Sequence, residues 1–476
     1  MENVDVAIVG AGIAGLACGV ALSDAGFRVL VLEAADTPGG RARSWTDATT
    51  GDRVDIGPHI LLSEYRNMLA WLERLGTASQ VRWQRERFLT LVDPPHAPVA
   101  VRVGRLPPPL HMLPSMLAIP QLSLRDTLSN ARLMWRIARL TPQALQALDG
   151  TTAEALLRAD GVSPRYVDWF WRTAAMTVMN VPLNACSAAA LLQLFRYLMG
   201  VGSYRVGFAR VGLGDLYVPQ AVRAIEAAGG RVRTSTQAAS LRIDGDRATG
   251  LRLHDGTEIR ARACVAAVPP AELADLLPPG CEASHPPFAR LRDFAPSPYV
   301  STYLWFDRVL GPARFWSNVW APDRLNYDFY DLAHIRDDLV DRRSVIAANI
   351  IYSDRLPPLD DAAIIEATRR ELCLHVPEAA HARLVHAAVH RIPMAIPAPF
   401  PGSEAMRPVA VTPIDGLVLA GDWLQTGLPV SMESAARAAA LAAEAVCTSL
   451  GRPRTIVKPL PRVEGLFALA GRGRMP

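Results

Sequence analysis

Lysine is nearly absent from this chain. Lys458 is the only one, so almost all of the positive charge is arginine. The net charge of +4 is too mild to mark a nucleic-acid binder, and no nucleic-acid partner is expected. The scarcity also bears on mechanism, because any chemistry that needs a buried lysine amine has a single candidate, and it sits in the tail. Cysteine pairs are missing too. Cys18, Cys186, Cys264, Cys281, Cys373 and Cys447 are scattered with no Cys-x-x-Cys spacing. That pattern signals neither a zinc site nor a disulfide framework, so no metal is expected and a reducing cytosol is the simplest setting. No uninterrupted apolar run reaches the roughly 18 residues a spanning helix needs. The N-terminus enters a strand at once, without a basic n-region or cleavage site, so no secretory leader is expected. None of this excludes lying on a membrane surface.

What is present is core-forming sequence. The chain has 476 residues, half of them apolar, which exceeds the usual single-core size and predicts at least two domains. A short apolar strand over 4–9, a helix over 13–25 and a buried strand over 28–32 make a β-α-β unit at the very start. Residues 87–103 read as a hairpin in another sheet. The stretch 105–120 is apolar but broken by Pro107, Pro108, Pro109, Pro114 and Pro120, so it cannot be one regular helix. Ser123 with Asp126 reads as a capping box opening a helical block that runs, with breaks, to about residue 199. Strands follow Gly229-Gly230, with a turn signal at Asp255-Gly256. Strand-like runs return over 300–306, 344–352 and 385–396. A strand over 416–420 precedes an alanine-rich helix over 431–450. The proline- and glycine-rich tail from Arg452 is expected to be poorly ordered.

Four motifs point to chemistry. Gly10-Ala11-Gly12-Ile13-Ala14-Gly15 sits between strand and helix, where a dinucleotide fingerprint must be. Gly10 permits the tight turn, Gly12 lets a pyrophosphate approach the backbone, and Gly15 lets helix and strand pack closely. The helix N-terminus adds free N–H donors. Glu33, followed by Ala34, ends the second strand where a carboxylate accepts from a ribose 2′-OH, which disfavours NADP. Gly39-Gly40-Arg41-Ala42-Arg43 brings Gly40 close to a ligand, with Arg41 and Arg43 able to pair phosphate or hold a ring edge. Asp55-Ile56-Gly57-Pro58-His59-Ile60 reads as a loop pressed against a ring, and His59 is the one side chain singled out as a catalytic acid or partner. Near the C-terminus, Gly421-Asp422-Trp423 ends a strand and Ser431-Met432-Glu433 opens a helix. That helix start could stabilise negative charge on a reduced flavin. A nicotinamide site needs no such second half, so the two ends together favour FAD.

These motifs, with Gly57 to Leu62, Tyr65 to Leu69, the stretch 109–113, Met179-Asn180-Val181-Pro182 and Gly212 to Leu216, resemble the FAD-dependent amine oxidase and phytoene desaturase superfamily. Within it the chain is similar to the squalene-associated FAD-dependent desaturases, or hydroxysqualene dehydroxylases. It departs in having Gly-Pro-His where those usually show Gly-Gln-His, and Ser431 to Ser434 where they usually read Thr-Met-Glu-Gly. The resemblance implies an α/β fold with a discontinuous Rossmann-type FAD-binding domain (1–86, 205–285 and 405–450). The remainder, 87–204 and 286–404, would form a mixed-sheet and helical substrate domain, with its helices about 110–200, and 451–476 a tail. It implies an adenine contact at Ala238, where valine is usual. It further implies a long isoprenoid substrate taken from the bilayer, with 106–120 as a membrane-dipping entrance and a peripheral place on the inner face of the membrane. The activity would be dehydroxylation of hydroxysqualene or a related desaturation. Two other readings stand beside it: a flavin amine oxidase, for which Lys458 is a poor catalytic lysine, and a non-catalytic FAD-binding scaffold.

Overall fold

The computed structural model describes residues 2–84, 88–202, 205–339, 341 and 343–470. Residue 87, where the sequence places the start of the hairpin and of the substrate domain, lies outside them. Two seven-stranded sheets organise the molecule. In the first, Glu2–Val9 lies parallel to both Val29–Leu32 and Glu258–Ala266, and Arg231–Arg233 extends the parallel run beyond Val29–Leu32. On its other side Glu258–Ala266 forks. Its first half pairs antiparallel with Arg247–Leu253, which in turn pairs with Ala238–Asp244, and its second half pairs parallel with Leu417–Leu419. Helices Ile13–Asp24 and Met432–Ser449 pack against each other beside this sheet. Helix Ile13–Asp24 is buried almost all round, and alanines such as Ala438, Ala439 and Ala442 on the partner are small enough to let the two approach.

The second sheet is mixed and runs Leu384–Pro397, Pro296–Phe306, Val345–Ile351, Asp328–Asp331, Phe315–Asn318, Leu89–Val92, Val99–Val101. Among the described residues, only Phe315–Asn318 and Leu89–Val92 of this sheet pair in parallel. Because side chains alternate along a strand, its two faces differ in character. Leu304, Trp316, Phe329, Ile346 and Ala348 form one apolar layer with Leu372 of helix Asp361–Cys373. The alternate residues face the other way, toward the helical block and the segments around Val54 and Leu62.

That block is built as short helices, several of them started by a side chain. Ser123 and Asp126 form the reciprocal capping box, and Thr141, Thr152, Ser163 and Ser187 each cap a further helix. Between Pro164 and Met179 the helix widens into two π-turns, Val167–Trp171 and Ala175–Met179, and ends on Asn180 in the left-handed region at φ 62°. Such widenings push individual side chains out of helical register. Here they send Thr177 and Val178 into the cavity described below.

Residues 106–120 contain no regular helix beyond Leu113–Leu117, as their prolines dictate, and the segment divides between core and surface. Met112, Met116 and Ile119 are buried in the second core, and only Leu106 and Leu117 remain exposed among its large apolar residues. One expectation needs correcting: the tail from Arg452 is not poorly ordered through residue 470. Ile456 and Val457 donate backbone N–H groups to Glu444 at 2.6 and 2.8 Å, Lys458 N–H donates to Asn67, and Val463 and Phe467 are buried against the helical block. Proline and glycine there prevent regular structure without preventing side-chain burial.

Candidate functional site: a cofactor cradle opening into an apolar chamber

One cavity of about 980 Å³ runs between the two sheets. Its first end is made by the glycine turn. Gly10 has φ +100°, and a side chain there would strike the carbonyl of Ala267 at 2.5 Å. At Gly15 a Cβ would lie 1.8 Å from the Gly10 carbonyl oxygen, so this glycine sets the contact between helix and strand rather than the cavity wall. Gly12 is different. Its missing Cβ would meet nothing of the protein nearer than Gly40 Cα at 3.9 Å, and it lines the cavity. The space a side chain would fill there is the space a pyrophosphate needs, which fits FAD.

The turn is locked from several sides. Glu33 accepts from Ala11 N–H at 2.8 Å and from Ala35 N–H at 3.0 Å, so part of its carboxylate holds the backbone as well as facing the cavity. Gly39 N–H donates to the Ala11 carbonyl, and Tyr217 Oη donates to the carbonyls of Gly39 and Ala42. Arg41 pairs with Asp422 at 2.6 Å and donates to the Ala395 carbonyl, tying the N-terminal loop to the C-terminal half of the site and to the second sheet. Helix Met432–Ser449 begins here with Ser431 as its cap. Glu433, buried behind it, accepts from Asn67 N–H, Asn67 Nδ2 and Met68 N–H, capping helix Arg66–Arg74. Burial pushes the Glu433 carboxyl above its usual range, and these donors pull part of that back.

His59 lines the cavity. Its Nδ1 sits 2.8 Å from the Gly57 carbonyl, which can only accept, so Nδ1 carries the proton. Burial lowers its pKa, which keeps the ring neutral at pH 7 with Nε2 free as an acceptor. The loop rests on the second sheet: Tyr303 Oη donates to the Asp55 carbonyl, and a Cβ on Gly57 would touch Ser301 and Asn349 at 3.7 and 3.8 Å.

Beyond this loop the walls become mostly apolar and aromatic, with Phe88, Leu194, Leu198, Phe315, Tyr330 and Leu428. Asp328 breaks the pattern. It lines the chamber, is 7 % exposed, and accepts a hydrogen bond from Ser317 Oγ. Burial raises its carboxyl to about 7.

Every cofactor residue predicted from sequence reaches this cavity except Gly15: Gly10, Gly12, Ile13, Ala14, Glu33, Ala34, Gly40, Arg41, Arg43, Gly57, Pro58, His59, Ile60, Ala238, Gly421, Asp422, Ser431 and Met432. Lys458 is not among the lining residues. Sequence reasoning missed Tyr217, Glu433 as a cap, and above all Asp328. The only signal for the last was a carboxylate inside the strand-like aromatic run Tyr327-Asp328-Phe329-Tyr330.

Comparison with known proteins agrees with this geometry. A solved putrescine oxidase bound to putrescine superposes with a TM-score of 0.70 at 17% identity, covering 94% of this chain and 99% of that one. A cyclohexylamine oxidase from Brevibacterium oxydans gives 0.68 at 20% identity over 94% of this chain and all of that one. At these identities the likeness speaks for the fold. In sequence, the chain is 26% identical over 465 residues to the 15-cis-phytoene desaturase of Solanum lycopersicum, covering 94% of this chain and 78% of the relative. It is 29% identical over 462 residues to the hydroxysqualene dehydroxylase of Rhodopseudomonas palustris, covering 93% and 98%. The profile of the flavin containing amine oxidoreductases matches residues 13–447, so the chain belongs to that family and is an FAD-dependent oxidoreductase.

Proposed function

We propose that the protein uses reduced FAD to remove the allylic hydroxyl of a long isoprenoid alcohol, converting hydroxysqualene or a close relative to the hydrocarbon. The observation that carries this reading is the continuity of the cavity, from the glycine cradle past His59 into a chamber with apolar walls and no lysine. A chamber of that lining takes a chain of hydrocarbon and excludes water. FAD supplies the hydride when bound. The residues that would hold it are Glu33 and Ala238 at the adenosine end, the 10–15 turn at the pyrophosphate, and the Arg41–Asp422 pair with the Ser431–Met432 helix start nearer the ring. His59 would orient or hydrogen-bond at the reacting edge. The near-complete coverage of the dehydroxylase from Rhodopseudomonas palustris favours this direction. The match to phytoene desaturases favours a second reading, in which oxidised FAD takes hydride from an allylic CH₂. Anaerobic incubation separates them. Reduced protein given hydroxysqualene should yield squalene with flavin reoxidation, whereas bleaching of oxidised protein by phytoene or squalene would favour desaturation. Amine turnover with peroxide release, and none with isoprenoids, would overturn both.

Such a substrate is delivered by a bilayer, and the surface has a candidate contact region. Leu106, Leu117, Leu124, Leu128 and Trp135 are exposed among the exposed Arg102, Arg105, Arg125, Arg132 and Arg139, a mixture suited to anionic lipid. No described helix is long and apolar enough to cross a membrane. The combined substitution of Leu124, Leu128 and Trp135 by Glu should abolish sedimentation with anionic liposomes; unchanged binding rejects the contact.

A further inference from the structure

The second sheet carries a line of polar side chains through an otherwise apolar and aromatic wall. His390, Ser301, Asn349, Asp328 and Ser317 are register partners on five adjacent strands, so all five project from the same face. The residues between them along each strand, such as Phe329, Trp316 and Ala348, point to the opposite, helix-covered face. Ser317, Asp328 and Asn349 form the chamber end of the line. Ser301 and Asn349 lie under the Gly57 loop that bears His59, which places Asp328 one strand beyond the point where cofactor loop and substrate sheet meet.

We propose that Asp328, positioned by Ser317, is the general acid that gives its proton to the departing hydroxyl of the substrate. The proposal rests on the dehydroxylation reading. The Asp328 carboxyl protonates the hydroxyl oxygen, and the C–O bond breaks with its electron pair remaining on oxygen. Water leaves, and the carbon accepts a hydride from reduced FAD. The proton released as the flavin is reoxidised balances the one Asp328 gave up. Alcohol and reduced FAD thus become hydrocarbon, water and oxidised FAD.

The surroundings suit the task. Ser317 Oγ is the donor that stabilises the carboxylate after transfer, and no cation pairs with Asp328 among the described residues. The groups facing it, Tyr299 two strands away and Tyr330 on its own strand, are phenols pushed well above their ordinary pKa and stay neutral. His390, at the far end of the line, is lowered by burial, and His59 likewise, so neither supplies a positive charge at neutral pH. Burial leaves Asp328 holding its proton near pH 7, where an acid catalyst works best.

Asp328→Asn separates this role from a structural one, because the amide still accepts from Ser317 but has no acidic proton. In the FAD-loaded enzyme the variant should keep full flavin content and lose about 10²–10⁴-fold in single-turnover reduction of hydroxysqualene, with Asp328→Glu recovering part. Independently of turnover, difference infrared spectra without substrate should show a carboxylic C=O band titrating near pH 7 in the wild type and absent in Asp328→Asn. Ser317→Ala should move that titration, and the falling limb of the rate profile, to higher pH. Wild-type rates in Asp328→Asn overturn the acid role alone. A wild type that desaturates phytoene or squalene and leaves hydroxysqualene untouched overturns the dehydroxylation reading and the acid role with it.

Discussion

Replacing Asp328 by Asn should make the protein more stable as pH rises. The folded carboxyl sits near 7 against an ordinary value of 3.8. Between those values the unfolded chain has released its proton while the folded one keeps it. Stability from this site is therefore complete below about pH 4 and is lost as pH climbs through 7. At about 1.4 kcal/mol per pH unit the total is about 4 kcal/mol, of which about 3 kcal/mol falls between pH 5 and 8. Asparagine does not titrate, so the variant escapes this loss. Unfolding entropy of about 2.1 cal/mol/K per residue gives about 1 kcal/mol/K for a chain this long, so the variant's lead in Tm should grow by about 3 °C across that window. Scanning calorimetry of both FAD-saturated proteins in half-unit steps of pH would measure it. A Tm difference that stays flat from pH 5 to 8 would show that the carboxyl is not held neutral in the chamber, and the reasoning about its burial would fail.

Other perturbations follow from the same geometry. Gly12→Ala should fold normally, since its Cβ meets no protein atom within 3.9 Å, yet lose FAD, read as the flavin-to-protein absorbance ratio. Gly15→Ala, with a contact of 1.8 Å to backbone, should instead fail to give folded protein. Glu433→Ala strands three donors at the start of helix Arg66–Arg74 and should cost about 3 kcal/mol in urea unfolding. His59→Ala should slow turnover with little change in folding, and an unaltered rate would remove His59 from the mechanism.

The cofactor half was legible because its constraints are local. Gly10, Gly12 and Gly15 are needed at fixed offsets by one turn, and Glu33 by the end of one strand, so spacing alone exposes them. Asp328 was not legible, because its meaning depends on Ser317, Asn349 and Ser301 arriving beside it from three other strands. The proline-broken stretch 106–120 shows a further limit. Composition cannot tell Met116 and Ile119, which find a core, from Leu117, which does not. The tail misled for a related reason: Val463 and Phe467 are buried despite a sequence with no periodicity.

The fork in strand Glu258–Ala266 has a consequence for biosynthesis. Its second half pairs with Glu2–Val9 on one edge, but its other edge stays unpaired until Leu417–Leu419 has left the ribosome, and helix Met432–Ser449 comes later still. A nascent chain of some four hundred residues therefore exposes an open, apolar strand edge, which invites association with other unfinished chains. Because Gly421, Asp422, Ser431 and Met432 of the cavity wall come last, flavin uptake is expected to wait for nearly the whole polypeptide. Fragments ending before residue 417 should be insoluble or chaperone-bound and colourless, and riboflavin starvation should lower the yield of soluble full-length protein rather than merely its activity.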